Sequence, residues 1–174
     1  MLTLDKIYHA SYVLKDVIRK TDLIYAPKLH AGGKIYLKTE NLQVTGSFKV
    51  RGAYYKISQL SDEEKRKGVI ACSAGNHAQG VALAAQKNKI PAMICIPDGA
   101  PISKVEATKS YGAEVVLEGD VFDEACDYAY KLADEQGLTF VHPFDDLAVA
   151  TGQGTIAMEI IKELPTVDYI LVPI

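Results

Sequence analysis

Lys49 stands in an unusual place for a lysine. It follows a Gly-Ser pair and lies between Phe48 and Val50, at the predicted start of a helix for which Thr45 or Ser47 is the expected cap. The positive end of a helix and apolar packing both disfavour an ammonium charge, so both lower the pKa of the lysine. A neutral amine can form a Schiff base with an aldehyde cofactor such as pyridoxal phosphate. The alternative is a solvated lysine on an amphipathic helix.

The segment 73–80 is the second place where residue types suit chemistry. It reads Ser-Ala-Gly-Asn-His-Ala-Gln-Gly and joins a predicted strand to a predicted helix. Free N–H groups at a helix start bind carboxylates and phosphates, and the side chains of Ser73 and Asn76 can add hydrogen bonds. The alternative is a plain helix cap. His77 is a possible base, but we expect it to orient the turn.

Other residues give weaker signals. The remaining histidines have no serine, cysteine or acidic partner at a triad spacing, which argues against hydrolase chemistry. Glu40 is interpreted as an isolated turn residue. The run 152–155, Gly-Gln-Gly-Thr, is interpreted as a turn before a helix and as a weak anion site at most. The three cysteines lie far apart and form no zinc or redox motif, so no metal site is expected.

The composition narrows the class of protein. The 174 residues are 48% hydrophobic and 24% charged, with a net charge of −3, which fits one domain or parts of two. Mild, interspersed charge implies neither a nucleic-acid nor a membrane partner. No apolar run reaches the length of a membrane-spanning helix, and the N-terminus lacks the apolar core of a signal peptide. A cytoplasmic location is therefore expected.

Short apolar runs alternate with amphipathic patterns, which predicts a parallel α/β sheet with flanking helices. The predicted strands are 68–72, 91–97, 113–117, 138–142 and 167–174. The predicted helices are 76–88, 102–111, 122–136 and 154–164, with a loop at 143–150. The last strand has no covering helix after it, so we expect a longer chain or a partner that completes the sheet.

The two motifs together resemble those of threonine dehydratases, which are serine/threonine ammonia-lyases. These belong to the fold-type II pyridoxal-phosphate enzymes, as serine racemase does. The matching segments are 38–41, 45–53, 73–82, 152–155 and 167–174. The chain looks like the N-terminal half of such an enzyme, most similar to the catabolic ones.

The resemblance implies a tryptophan synthase beta-like fold with the cofactor between two α/β domains. Residues 66–138 would form a complete small domain with a four-stranded parallel sheet. Residues 1–60 and 145–174 would belong to a large domain, truncated before the glycine-rich phosphate-binding loop of the family. That loop would follow Ile174, so the 174-residue chain alone is expected to bind the cofactor weakly and to be inactive.

The resemblance also implies roles for individual residues. Lys49 would form the Schiff base with pyridoxal phosphate and carry the α-proton. Phe48 would pack beside the cofactor ring, and Asn76 would hydrogen-bond its phenolic oxygen. The substrate carboxylate would bind to Ser73 and to the backbone N–H groups of Gly75, Asn76 and His77.

The implied reaction is β-elimination of L-threonine to 2-oxobutanoate and ammonia, and of L-serine to pyruvate. It would serve isoleucine biosynthesis or threonine catabolism. Serine racemases carry a proton-donating serine at the position of Ala74, and a methyl group cannot transfer a proton, so elimination is favoured over racemisation. An inactive fragment or interaction module is the other alternative. The expected partners are a small amino acid and, as in relatives, further copies in a dimer or tetramer.

Overall fold

In the computed structural model, which describes residues 1–172, helices alternate with strands along most of the chain. The strands are β1 (Leu23–Tyr25), β2 (Tyr36–Lys38), β3 (Val69–Cys72), β4 (Ala92–Ile96), β5 (Glu114–Leu117) and β6 (Thr139–Phe140). The helices are α1 (Leu4–Leu14), α2 (Lys49–Ser58), α3 (Asp62–Lys67), α4 (Asn76–Asn88), α5 (Ile102–Ser110), α6 (Phe122–Gln136) and α7 (Leu147–Glu163), with a 3-10 turn at Glu40–Leu42. None of the described helices is long and apolar enough to cross a membrane.

Four strands form a parallel sheet in the order β5-β4-β3-β6, while β1 and β2 form an antiparallel pair. This sheet confirms the parallel α/β prediction, since each of the first four predicted strands contains an observed one. From β3 the chain moves outward through β4 to β5, then returns to β6 on the other side of β3. The strand order therefore reverses between β3 and β6, which is where open α/β sheets bind ligands.

Both faces of the parallel sheet are covered by helices. Alternate residues of β3 point to opposite faces, so they enter two different cores. Val69 and Ala71 belong to a core shared with α2, α4 and α5. Ile70 and Cys72 belong to a second core, formed with α6. All four of these β3 side chains are fully buried. A strand buried on both faces explains why its sequence, Val-Ile-Ala-Cys, is apolar throughout rather than alternating.

Helix α2 packs against α4 and α7 at very short range because glycines occupy the contacts. A Cβ atom on Gly80 of α4 would lie 3.1 Å from the carbonyl carbon of Lys49. A Cβ atom on Gly152 of α7 would lie 2.5 Å from the carbonyl oxygen of Arg51, closer than real Cβ contacts allow. The first turn of α2 is therefore fixed by backbone contact on two sides.

We expect Gly152→Ala to lower the free energy of unfolding by about 2 kcal/mol, because the added methyl group forces α7 away from α2. The change is measured by urea denaturation. Gly154→Ala is the matched control on the same helix, since its Cβ atom would meet only the flexible side chain of Ile7, at 3.1 Å. It should leave stability unchanged or raise it by up to about 1 kcal/mol. Equal stabilities of the two variants would contradict the close helix contact.

Three local predictions are wrong. Helix α2 begins at Lys49, close to the predicted start, but neither Thr45 nor Ser47 caps it; Phe48 precedes it in a helical conformation without a side-chain cap. The run 152–155 is not a turn, because α7 begins at Leu147 rather than at residue 154. The cause is Asp146, whose Oδ1 accepts hydrogen bonds from the N–H groups of Ala148 (2.7 Å) and Val149 (3.0 Å). The predicted loop therefore covers only residues 143–146.

The third wrong prediction is the last strand. Its described part, residues 167–172, forms no strand, and residues 173 and 174 lie outside the described residues. A strand requires a neighbour for its N–H and C=O groups, and the described parallel sheet ends at β6 on that side. The division into domains at 1–60, 66–138 and 145–174 stays a prediction.

Candidate active site

Strands β3 and β6 are neighbours in the sheet, and the two segments that follow their C-terminal ends lie together at the reversal of strand order. The turn 73–75 follows β3 and leads into α4, and residues 141–146 follow β6 and lead into α7. Helix α2 lies beside both, since Gly80 of α4 and Gly152 of α7 both touch its first turn. Lys49 thus reaches the edge of the sheet where a ligand is expected.

Lys49 is the first residue of α2, and its side chain is half-buried. Its Nζ donates a hydrogen bond to the carbonyl oxygen of Pro143 at 2.9 Å and lies 5.4 Å from the ring centroid of Phe48. Burial lowers the pKa of Lys49, in the direction expected from the sequence. The surface-lysine alternative is wrong, because a solvated ammonium would show neither the burial nor the long-range contact.

The turn after β3 has one N–H group already engaged. The N–H of Gly75 donates to Oγ of Ser73 at 3.2 Å. Those of Asn76 and His77 have no hydrogen-bond partner in residues 1–172, as is usual for the first residues of a helix. Asn76 is exposed, and Ser73 is partly exposed. The turn therefore offers two free N–H groups, a hydroxyl and a carboxamide on the same side of the sheet as Lys49.

His77 holds this turn to the end of β6. Its side chain is 3% exposed, and Nε2 donates to the carbonyl oxygen of Val141 at 2.8 Å. Burial lowers the pKa of His77 to about 4; the hydrogen bond to Val141 opposes this, and the charges of Lys49 and His142 add to it. Nδ1 is buried and has no partner in the described structure. His77 is thus neutral at pH 7 and acts as an orienting residue.

The depressed pKa of His77 gives a stability that depends on pH. The unfolded chain takes up a proton below pH 6.5, whereas folded His77 resists it until about pH 4. Stability from this group is therefore present above pH 6.5 and lost as pH falls to about 4, by about 3 kcal/mol in total. In urea denaturation, His77→Gln should lose about 2–3 kcal/mol less than the unsubstituted chain between pH 7 and 4.5. Parallel losses in both proteins would contradict the burial of a neutral His77.

The sequence analysis predicted a loop after β6 but assigned it no part in the site. The carbonyl oxygen of Pro143 in this loop accepts a hydrogen bond from the Lys49 amine. The loop conformation is fixed by His142, whose Nδ1 accepts hydrogen bonds from the N–H groups of Phe144 (3.3 Å) and Asp145 (2.7 Å). The predicted strand 138–142 could have indicated this role, because residues that follow a parallel strand lie at the ligand-binding edge of the sheet. Which residue they would meet across the edge was not readable from that pattern.

The sequence interpretation also missed the charged cluster that anchors α2. Arg51 is fully buried and donates to both oxygens of Glu40, at 2.7 and 2.8 Å, and to both oxygens of Glu159, at 2.6 and 3.0 Å. Lys38 lies 2.6 Å from Glu159. Burial alone would raise the pKa of Glu159, but the hydrogen bonds from Arg51 and Lys38 lower it. Glu40 is therefore an ion-pair partner, not the isolated turn residue expected.

Comparison with known proteins identifies the family. Residues 14–174 match the family model described as "Pyridoxal-phosphate dependent enzyme". The chain is 54% identical over its whole length to the L-threonine ammonia-lyase of Thermotoga maritima and covers 44% of that protein. It spans about half the length of the curated relatives it matches.

The solved structures agree with this assignment. Maize serine racemase superposes on 96% of the chain with a TM-score of 0.91 at 35% identity, and the match covers 51% of that chain. The processed form of threonine deaminase isoform 2 from Solanum lycopersicum superposes on 93% of the chain with a TM-score of 0.86 at 43% identity, and the match covers 47% of that protein's chain. These matches confirm the predicted fold class. The chain belongs to the family of pyridoxal-phosphate-dependent enzymes.

Proposed function

We propose that the protein carrying this chain uses pyridoxal phosphate to eliminate water from L-threonine, giving 2-oxobutanoate and ammonia, and from L-serine, giving pyruvate. The observation that carries this proposal is the half-buried amine of Lys49, which donates to the Pro143 carbonyl at the ligand-binding edge, while the Lys49 backbone packs against Gly80 of α4. The resemblance to named threonine ammonia-lyases and deaminases supports the same reaction.

The residues around Lys49 fit the cofactor. The amine has a lowered pKa, so its neutral, nucleophilic form is more accessible than that of an exposed lysine. Phe48, 37% exposed, offers an apolar ring beside it, and Asn76 offers a free carboxamide. When bound, the cofactor supplies the electron sink that stabilises negative charge at the substrate Cα atom.

The chain would contribute binding and proton transfer. The free N–H groups of Asn76 and His77 and the hydroxyl of Ser73 suit a carboxylate, and the α4 dipole favours the negative charge there. Lys49 would remove the Cα proton, since burial lowers its pKa and so makes the neutral amine, the form that acts as a base, more accessible. The hydrogen bond to the Pro143 carbonyl would orient the free amine of Lys49. His77 positions the turn and does not take the proton.

Ala74 supports elimination over racemisation. It lies in the same turn, between Ser73 and Gly75, and its methyl group can neither donate nor accept a proton. Elimination needs proton removal on the lysine side only, whereas racemisation needs a donor on the opposite side. The similarity to maize serine racemase makes racemisation the alternative to be tested.

Product analysis of the cofactor-loaded protein decides between these functions. With L-threonine we expect 2-oxobutanoate and ammonia in equal amounts, and with L-serine pyruvate without D-serine. Formation of D-serine at a rate comparable to pyruvate would contradict the argument from Ala74. Absence of both keto acids would contradict the lyase proposal.

Three sequence-based expectations remain predictions of the same proposal. They are a cytoplasmic location, assembly into a dimer or tetramer, and the assignment of residues 66–138 to a small domain facing the cofactor.

A further inference from the structure

We propose that Phe144 forms the apolar wall of the substrate site and contacts the β-substituent of the bound amino acid, so that it favours threonine over serine. This inference rests on the proposed function. Phe144 lies outside the segments on which the family resemblance rests, and the sequence analysis placed it in an ordinary loop.

The position of Phe144 follows from its neighbour in the chain. The carbonyl oxygen of Pro143 accepts the Lys49 amine at 2.9 Å. Consecutive Cα atoms are about 3.8 Å apart, so the backbone of Phe144 lies directly beside that amine. A substrate attached at this position has its reacting carbon next to the segment 143–144.

The loop that carries Phe144 is held at both ends. His142 accepts the N–H groups of Phe144 and Asp145 at its Nδ1, at 3.3 and 2.7 Å. Asp146 caps α7, and its other oxygen lies 2.8 Å from Nζ of Lys56 on α2. The backbone of Phe144 is thus fixed by hydrogen bonds and an ion pair, without any need to bury its side chain.

The ring itself is open on one side. It packs edge-on against His142, with centroids 4.6 Å apart and planes at 88°, and the side chain is 74% exposed. Single exposed aromatic residues are common on protein surfaces, and Tyr12, 79% exposed on α1, is one. Phe144 differs because it lies at the reversal of strand order, next to the reactive amine, where burial of its free face by a ligand is favourable.

The geometry of an amino acid assigns the contact. Its nitrogen lies at the lysine end of the site and its carboxylate at the turn 73–77, so its side chain is the group left to meet a third surface. Threonine and serine differ there by one methyl group. An apolar pocket distinguishes one methyl or methylene group by about 10- to 200-fold, and a single ring without further walls should reach the lower end, about tenfold.

The test compares two amino acids that can bind at the cofactor but cannot undergo β-elimination. L-2-aminobutyrate and L-alanine both lack the β-hydroxyl leaving group and differ by one methylene group. Their dissociation constants for the cofactor-loaded protein are measured from the absorbance of the bound cofactor. We expect L-2-aminobutyrate to bind more tightly, and Phe144→Ala to reduce that preference by about fivefold. Phe144→Leu, which keeps an apolar side chain, should retain most of it, and Tyr12→Ala should leave it unchanged.

The outcomes separate this inference from the proposed function. If both amino acids change the absorbance and Phe144→Ala keeps the preference of the unsubstituted protein, the inference about Phe144 is wrong and the proposed function stands. If the unsubstituted protein shows no cofactor absorbance that an amino acid alters, both fail. Phe144 is exposed, so we expect the thermal midpoint of Phe144→Ala to be unchanged; if that variant unfolds, Phe144→Asn, which also removes the apolar ring, decides by the same fivefold criterion.

Discussion

Lys49→Arg should lower the rate of threonine elimination by at least about 1,000-fold. The guanidinium group keeps the charge and can reach the Pro143 carbonyl, but with a pKa above about 12 it stays protonated. It can therefore act neither as nucleophile nor as base. Loss of a general base alone costs about 100- to 10,000-fold, and the loss of the covalent step adds to this. The rate of 2-oxobutanoate release from L-threonine by the cofactor-loaded protein measures the effect.

Lys56→Arg is the matched control on the same helix. Lys56 lies 2.8 Å from Asp146, and arginine can keep that ion pair. Its rate should stay close to that of the unsubstituted protein. A Lys49→Arg protein with more than about a tenth of the original rate would show that another residue supplies the base, since a positioned base contributes more than that factor.

Arg51→Met should lower the free energy of unfolding by about 3–5 kcal/mol, the usual cost of breaking a buried ion pair by removing one partner. Methionine fills most of the space, but within residues 1–172 it leaves Glu159 with Lys38 as its ion-pair partner and Glu40 with none. Both carboxylates are then buried without adequate hydrogen bonds, and this uncompensated charge is the source of the loss. Urea denaturation at neutral pH measures it.

Two comparisons make this prediction specific. Lys20→Met removes the ion pair between Lys20 and Glu163. The Lys20 side chain is 74% exposed, so this loss should lower the free energy of unfolding by less than about 1 kcal/mol. The double variant Arg51→Met with Glu159→Gln should recover part of the loss, because it removes one of the two stranded charges. A loss from Arg51→Met as small as that from Lys20→Met would mean that water reaches the cluster and that it does not anchor α2.

The regular elements were predictable because local signals agree with the tertiary structure. The predicted helices 76–88 and 122–136 have the observed bounds. The second of these ends where Gly137 takes a left-handed conformation, with φ of +67°, which glycine adopts without strain. Strand β3 was predictable from a continuous apolar run, since both of its faces are buried.

Helix α7 shows where local reasoning fails. Its glycines suggested a turn, and the intrinsic helix propensity of glycine is poor. In the folded chain Gly152 lies inside the helix because α2 approaches too closely for any side chain. Packing against a helix far away in sequence therefore overrides the local preference, and no pattern within the segment reports it.

The site was predictable in its parts but not in their arrangement. Lys49 and the turn 73–77 were identified by residue type and by position relative to helix starts. The hydrogen bond from Lys49 to Pro143 joins residues 94 positions apart, and the one from Arg51 to Glu159 joins residues 108 positions apart. Such pairings depend on how the elements pack, and single-sequence patterns of period 2 or 3.6 carry no information about them.

Covalent trapping tests the central claim, that Lys49 is the residue that bonds to pyridoxal phosphate. The full-length protein that carries this chain is mixed with the cofactor, reduced with borohydride, digested and mapped by mass spectrometry. We predict one modified peptide, the one that contains Lys49, and no modification at that site when Lys49→Arg is treated in the same way. An adduct on other lysines with Lys49 unmodified, or no adduct at all under saturating cofactor, would contradict the account.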